Sequence, residues 1–206
     1  FFHGIAPAGL CFYLPMVLTI ASDRALFLFD NPNIACSIQF DALSEEETVE
    51  GVRELVDLHC GKEQSVSVAG HSFGSCPVTW LLTSDFASRI EHAILLDPVT
   101  ILLSGTCFAV HFHSQITEAD VMINFLYSKE VSKVRMIAAS ELFTEYYLRR
   151  QFAWYNSELW LDETDAKILL ALSGKDEIVP SSKVLHHAKS FDHLEVVYWD
   201  DAGHAN

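Results

Sequence analysis

The residues best suited to nucleophilic chemistry lie in the pentapeptide Gly70-His71-Ser72-Phe73-Gly74. It follows a strand-like run over 65–69 and precedes a helix-like run over 73–82. A turn that joins a strand to a helix this sharply needs glycine neighbours, and it presents the serine hydroxyl at its tip. The helix behind it offers unpaired backbone N–H groups and a positive dipole end, which suit a developing oxyanion. The pattern therefore predicts a nucleophile at Ser72.

Two other residues are candidates to activate this serine. A serine hydroxyl needs a general base, and the base needs a carboxylate that orients it. His204 follows the last strand-like run, over 194–199, and Asp176 follows the preceding one, over 166–174. We expect His204 to take the proton from Ser72 and Asp176 to hold the imidazole in the required tautomer.

Asp97 is an alternative acid, because it also ends a strand-like run, in Leu95-Leu96-Asp97-Pro98. Otherwise it is a structural turn residue. Asp200 and Asp201 are interpreted as solvated loop charges, and His71 as a packing residue under the turn.

The sequence gives no support for a metal or an organic cofactor. His111 and His113 alternate as a metal-binding pair would, but no nearby Asp, Glu or Cys completes a site. His186 and His187 lie in a helix-like run and are expected at the surface. Glycine-rich phosphate loops are absent, so a nucleotide cofactor is not indicated.

These residues must be positioned by alternating strands and helices. Strand-like runs are predicted at 25–30, 65–69, 93–97, 166–174 and 194–199, with helices over 44–61, 73–82 and 181–191. Ser44 and Glu47 predict a capping box at the start of the first of these helices. Apolar strands that alternate with helices indicate an α/β fold with a mostly parallel sheet covered on both faces.

The segment 100–165 interrupts this alternation, because it has no clear strand and many aromatic residues. Such a long insertion after the strand that ends near Asp97 is predicted to be a helical cap on a single domain over 1–206. Most of its aromatic side chains should form the core of the cap, and a minority should line an apolar pocket. The aromatic residues are Phe108, Phe112, Phe125, Tyr127, Phe143, Tyr146, Tyr147, Phe152, Trp154, Tyr155 and Trp160.

Charge and composition exclude several classes of protein. The net charge of −15 argues against binding to nucleic acid or to anionic membranes. The apolar stretch over 9–20 contains Pro15 and is too short for an integral membrane span. Five widely spaced cysteines suggest buried free thiols and an intracellular, cytoplasmic location. They are Cys11, Cys36, Cys60, Cys76 and Cys107. The chain does not begin with methionine, so we expect a truncated N-terminus.

Taken together, these motifs resemble the α/β-hydrolase superfamily over nearly the whole chain. The order Ser72, Asp176, His204 matches the order of that fold. His3-Gly4-Ile5 resembles the oxyanion loop of the family, which implies that the backbone N–H groups of Ile5 and Phe73 form the oxyanion hole. The strands that precede this loop in the family, and the helix that follows its histidine, are expected to be missing.

The segments 125–127 and 152–156 also resemble a lipase-like subgroup of that superfamily. The resemblance implies a serine hydrolase that works through an acyl-enzyme. The aromatic residues of the predicted cap favour a hydrophobic acyl or aryl ester of a small molecule, so a carboxylesterase or lipase is the first hypothesis. A thioesterase, an amidase or a C–C bond hydrolase would use the same three residues. A non-catalytic protein that binds an apolar ligand is the alternative from a different class.

Overall fold

The structure, a computed structural model, describes residues 1–103 and 141–204. Within these residues, four parallel strands form one sheet in the order β1-β2-β3-β4. The strands are β1 (Val66–His71), β2 (Ile90–Leu96), β3 (Lys167–Ser173) and β4 (Leu194–Trp199). The helices are α1 (Leu14–Ala21), α2 (Glu45–Cys60), α3 (Ser75–Thr83), α4 (Leu142–Arg150) and α5 (Ser181–Ala188). Short 3₁₀ turns span Gly9–Tyr13, Pro32–Ile34, Ser72–Gly74, Asp85–Arg89 and Trp154–Asn156.

The core includes the two central strands and the helices that pack on the sheet. Leu95 of β2 and its register partner Leu170 of β3 are fully buried on one face, and Ala171 is buried on the other face of β3. Val78 of α3 and Val184 of α5 are also fully buried. Strands that are apolar on both faces need cover on both, and parallel strands need helical crossovers that supply it. The predicted parallel sheet flanked by helices is therefore confirmed.

The prediction of a strand over 25–30 is wrong, because these residues do not form an extended strand. Phe29 forms only an isolated parallel bridge with Phe2, and Phe2 forms a second one with Gly70. The chain turns away after Phe2, and the Ala6 N–H donates to the Ile34 carbonyl at 3.1 Å. Among the described residues, the run from residue 25 therefore has no partner strand of its own length.

Helix α2 begins as its sequence predicts. The Ser44 Oγ atom accepts a hydrogen bond from the Glu47 N–H at 3.1 Å, and the Glu47 carboxylate accepts one from the Ser44 N–H at 2.8 Å. Val52 and Val56 are buried on one face, whereas Leu58 is 78% exposed. Position 58 falls off the apolar stripe, because two residues along a helix rotate a side chain to the opposite face.

The cysteines depart from the prediction of buried thiols. Of the four that the structure describes, all free, only Cys76 is buried, Cys36 is half-buried, and Cys11 and Cys60 are exposed. Cys11 lies in a surface 3₁₀ turn, and Cys60 ends α2 beyond its buried face. Cys107 lies outside the described residues.

Of the segment predicted as a cap, the structure describes residues 100–103 and 141–165. Here α4 packs beside the 3₁₀ turn Ser72–Gly74, with the Tyr147 ring centred 5.9 Å from that of Phe73. The cap itself stays a prediction. No helix among the described residues is both long and apolar enough to span a bilayer.

Candidate active site

Ser72 lies at the sharp turn between β1 and α3. Its φ angle is +52°, a conformation that costs a residue with a side chain and occurs mainly where the surroundings enforce it. The glycines on either side make the turn possible. A Cβ atom at Gly70 would collide with the Gly74 backbone, and one at Gly74 would collide with the Phe2 backbone. The strand, the turn and the helix therefore pack too closely for any other residue at these two positions.

His204 joins Ser72 to Asp176. Its Nε2 atom lies 2.8 Å from the Ser72 Oγ atom, and its Nδ1 atom lies 2.7 Å from an Asp176 carboxylate oxygen. In the neutral imidazole only one ring nitrogen carries a proton. Since the carboxylate can only accept, Nδ1–H donates to Asp176 and Nε2 is left to accept from the serine hydroxyl. The arrangement can therefore move the serine proton onto the histidine.

The Asp176 carboxylate is held by its own loop after β3. Its other oxygen accepts hydrogen bonds from the N–H groups of Ile178 at 2.7 Å and Val179 at 2.8 Å. The side chain is fully buried, whereas that of His204 is 13% exposed. Because the Asp176 carboxylate is fixed and buried, its hydrogen bond holds the His204 imidazole in one orientation.

Backbone hydrogen bonds hold the Asp176 loop against the loop that carries His204. The Gly174 N–H donates to the Trp199 carbonyl at 2.8 Å, and the Lys175 N–H donates to the Ala202 carbonyl at 2.8 Å. The two chain segments therefore lie in a fixed position relative to each other.

Asp97, the alternative acid, ends β2 with a φ angle of +43° and is buried. Its carboxylate accepts from the Ser173 N–H at 2.7 Å and from the Ser173 hydroxyl at 2.8 Å. A ligand atom of Asp97 lies within 4.8 Å of one from Asp176 and one from His204. Asp97 thus ties the ends of β2 and β3 together beside the site, while Asp176 accepts the bond from His204 Nδ1.

The loop over residues 3–5 lies directly against the turn. A Cβ atom at Gly4 would be 2.9 Å from the Ser72 Cβ atom. His3 is buried and anchors this loop, since its Nδ1 atom lies 2.7 Å from the Gly4 carbonyl and its Nε2 atom accepts from the Asn31 N–H at 2.9 Å. No hydrogen bond is seen from the Ile5 backbone N–H to another described residue. The oxyanion hole expected from the Ile5 and Phe73 N–H groups stays a prediction.

His71 has a partner that sequence reasoning missed. Its Nδ1 atom lies 2.7 Å from the Tyr13 hydroxyl, and its ring centre lies 5.3 Å from that of His204. Burial lowers the pKa of His71 to about 3, so its ring is neutral at physiological pH. Burial also raises the pKa of Tyr13 to about 12. No local sequence signal links positions 13 and 71.

A cavity of about 410 Å³ lies beside the turn. Its apolar wall includes Phe29, Ile34, Phe73, Trp80 and Tyr147. Three carboxylates, those of Asp30, Asp41 and Glu47, lie on its lining, and no lysine or arginine of residues 1–103 or 141–204 does. Because Phe73 follows Ser72 directly, the cavity borders the nucleophilic turn.

The remaining predicted residues lie as follows. Asp200 and Asp201 are exposed, and Asp201 pairs with Lys175 at 2.6 Å. His186 is exposed, and the ring of the half-buried His187 lies 5.2 Å from that of Phe191. His111 and His113 lie outside the described residues.

No protein-family model matches the chain, and neither does any curated protein sequence. Solved structures do match it. An N-acyl homoserine lactone degrading enzyme superposes with a TM-score of 0.71 at 15% identity, over 98% of this chain and 84% of that one. A thermophilic esterase from Thermogutta terrifontis gives 0.64 at 16% identity, over 98% and 80%.

A third structure is the 2-hydroxy-6-oxo-6-phenylhexa-2,4-dienoate hydrolase from a Rhodococcus species. It gives a TM-score of 0.64 at 16% identity, over 98% of this chain and 82% of that one. The predicted α/β-hydrolase fold is therefore confirmed.

Proposed function

We propose that this chain is a serine hydrolase in which Ser72 is the nucleophile, His204 the general base and Asp176 the orienting acid. The observation that carries the proposal is the pair of short hydrogen bonds from His204, 2.8 Å to the Ser72 Oγ atom and 2.7 Å to the Asp176 carboxylate. A proton transfer needs a base within about 2.6–3.2 Å of the proton donor, and the distance from His204 Nε2 to the Ser72 Oγ atom meets that condition. The fold supports the proposal further, since proteins described as serine hydrolases and esterases share it.

In the proposed acylation step, the Ser72 Oγ atom attacks the carbonyl carbon of an ester while its proton passes to His204 Nε2. Asp176 stabilises the imidazolium that forms. The negative charge on the carbonyl oxygen is met by the backbone N–H groups of Ile5 and Phe73, which are fixed before the reaction begins. The ester C–O bond then breaks, and the leaving alkoxide takes the proton from His204.

In the proposed deacylation step, a water molecule replaces the departed alcohol. His204 removes a proton from the water, and the resulting hydroxide attacks the acyl carbon. The bond to Ser72 Oγ breaks, and the proton on His204 returns to the serine oxygen. The net reaction consumes one water and yields a carboxylic acid and an alcohol, with no cofactor.

The cavity favours a hydrophobic, uncharged acyl group, as in the substrates of carboxylesterases and lipases. Phe29, Phe73 and Trp80 offer an apolar surface, whose burial contributes about 25 cal/mol per Å². Among the described residues, the acidic and basic side chains on its lining include three carboxylates and neither a lysine nor an arginine, so the lining would repel an anionic acyl group.

The first test is labelling of the purified chain with a fluorophosphonate probe, followed by intact mass measurement. One adduct on the wild type, lost in Ser72→Ala and kept in Ser182→Ala, is the expected result. Ser182 is an exposed serine of α5 and serves as the matched control. Ester hydrolysis should fall by at least roughly 10⁴-fold in Ser72→Ala. A folded wild-type chain that takes no adduct would contradict the proposal and favour a non-catalytic ligand-binding protein.

The substrate proposal is tested with two p-nitrophenyl esters of equal acyl length, the pentanoate and the monoglutarate. We expect kcat/KM to be about tenfold or more higher for the pentanoate, and the ratio to shrink in high salt because salt screens the carboxylates. Equal rates for both esters would exclude the cavity as the acyl site.

A further inference from the structure

The Tyr13 hydroxyl joins two segments that border Ser72. The Gly4 N–H donates to the Tyr13 Oη atom at 2.9 Å, and the same oxygen lies 2.7 Å from His71 Nδ1. Gly4 belongs to the loop that carries the Ile5 N–H, and His71 immediately precedes the nucleophilic serine. Backbone bonds at Phe2 also join these segments, since the His71 N–H donates to the Phe2 carbonyl at 3.1 Å. The Tyr13 hydroxyl adds a side-chain link between the loop over residues 3–5, the proposed oxyanion loop, and the turn.

The direction of both hydrogen bonds follows from the groups involved. A backbone N–H can only donate, so the Tyr13 oxygen accepts from Gly4 and is left to donate its own proton to His71 Nδ1. The raised pKa of Tyr13, about 12, keeps that proton in place at any working pH. The lowered pKa of His71, about 3, keeps its ring neutral, so one ring nitrogen can accept a hydrogen bond from a donor.

The distance between the oxyanion loop and the nucleophile is small enough for this link to matter. A Cβ atom at Gly4 would lie 2.9 Å from the Ser72 Cβ atom and 3.1 Å from His71 Nδ1. Resting on the proposed function, we infer that Tyr13 is a positioning residue: its hydroxyl sets the place of the Ile5 N–H relative to Ser72. Oxyanion donors act on the transition state, so their displacement lowers kcat and leaves substrate binding nearly unchanged.

The test is Tyr13→Phe, which removes only the hydroxyl. We expect kcat to fall about 10- to 100-fold with KM within about threefold of wild type, because a small displacement of a positioned group has effects of this size. Tyr155→Phe is the matched control, since Tyr155 is 68% exposed, and its kinetics should not change. Circular dichroism and a melting curve establish that both variants are folded.

A second measurement does not depend on turnover. The Gly4 N–H should exchange with solvent deuterium at least about tenfold faster in Tyr13→Phe, because its acceptor is gone. Exchange is followed by mass spectrometry of N-terminal peptic fragments.

A pair of variants at position 71 tests the other end of the link. His71→Asn places an amide oxygen near the former Nδ1 position and should retain most of the kcat that His71→Leu loses. Equal losses in the two variants would contradict a role for the Tyr13–His71 hydrogen bond.

The outcomes separate this inference from the proposed function. Full kcat in folded Tyr13→Phe, a loss confined to KM, or unchanged exchange of Gly4 would each overturn the inference while hydrolysis by the wild type stands. A wild type that neither hydrolyses esters nor takes the fluorophosphonate adduct removes the proposed function and overturns the kinetic role of Tyr13 with it.

Discussion

Two histidines in ring contact flank Ser72, and their Nδ1 partners differ. His204 Nδ1 lies 2.7 Å from the Asp176 carboxylate, whereas His71 Nδ1 lies 2.7 Å from the Tyr13 hydroxyl. A carboxylate stabilises the charged imidazolium, but a phenol that donates its proton stabilises only the neutral ring.

Solvent access adds to this difference. The His204 side chain is 13% exposed, while His71 is buried and its Nε2 atom has no hydrogen-bond partner among the described residues. Both histidines lie near the serine, so nearness does not distinguish them. The group that contacts Nδ1 therefore distinguishes His204, the candidate base, from His71, a structural histidine.

The largest expected effect is that of Asp176→Asn, which replaces the carboxylate that contacts His204 with a neutral amide. The amide introduced by this substitution would present a donor to Nδ1–H, so the imidazole would shift its proton to Nε2 and could no longer accept from Ser72. We expect kcat to fall roughly 10³- to 10⁴-fold, as the same exchange does in the serine protease triad. Steady-state kinetics on a p-nitrophenyl ester measure the loss.

Asp97→Asn is the matched control for this variant, because it neutralises the other buried carboxylate of the cluster. Its two bonds to Ser173 weaken, so the free energy of unfolding should fall by about 1–2 kcal/mol while kcat stays within about threefold. A collapse of kcat in Asp97→Asn with full activity in Asp176→Asn would exchange the roles of the two aspartates.

The next effect is a dependence of folding stability on pH that arises from His71. The folded-state pKa of His71 is about 3 against an unfolded value of 6.5, so between these values the unfolded chain binds a proton that the folded chain does not. Stability is therefore lost as pH falls below about 6.5. From pH 7.5 to pH 4.5, the free energy of unfolding should fall by roughly 3 kcal/mol more in wild type than in His71→Asn, at about 1.4 kcal/mol for each of the two pH units below 6.5.

Urea unfolding of the two proteins at several pH values measures this difference. Taking the difference between them cancels the titration of the other acidic groups. A stability difference that does not vary with pH would show that His71 is not held neutral by burial.

Much of this site could be predicted because its signals are local. Gly70 and Gly74 flank Ser72 within one pentapeptide, and Asp176 and His204 each follow an apolar strand. Parallel strands bring their carboxyl ends to one edge of the sheet, so residues distant in sequence meet there.

The parts that could not be predicted depend on loop geometry. Tyr13 reaches His71 across 58 positions from a 3₁₀ turn that no pattern marks as special. The run over 25–30 has strand composition, yet among the described residues it forms a single bridge, from Phe29 to Phe2, because the neighbouring segment turns away. The prediction of a buried thiol also fails at Cys11, because burial depends on which side of a turn faces the core.

The smallest expected effect concerns how the two loops that carry Asp176 and His204 are held together. Lys175 Nζ and Asp201 form an ion pair at 2.6 Å, but their side chains are 65% and 91% exposed. Solvent screens such a pair, and the backbone bond from Lys175 N–H to the Ala202 carbonyl remains without it. Asp201→Asn should therefore change the melting temperature by less than about 2 °C and kcat by less than about twofold. The control is Glu63→Gln, which removes the same charge at another exposed site. A marked drop in kcat for Asp201→Asn but not for Glu63→Gln would mean that the ion pair, and not the backbone, positions His204.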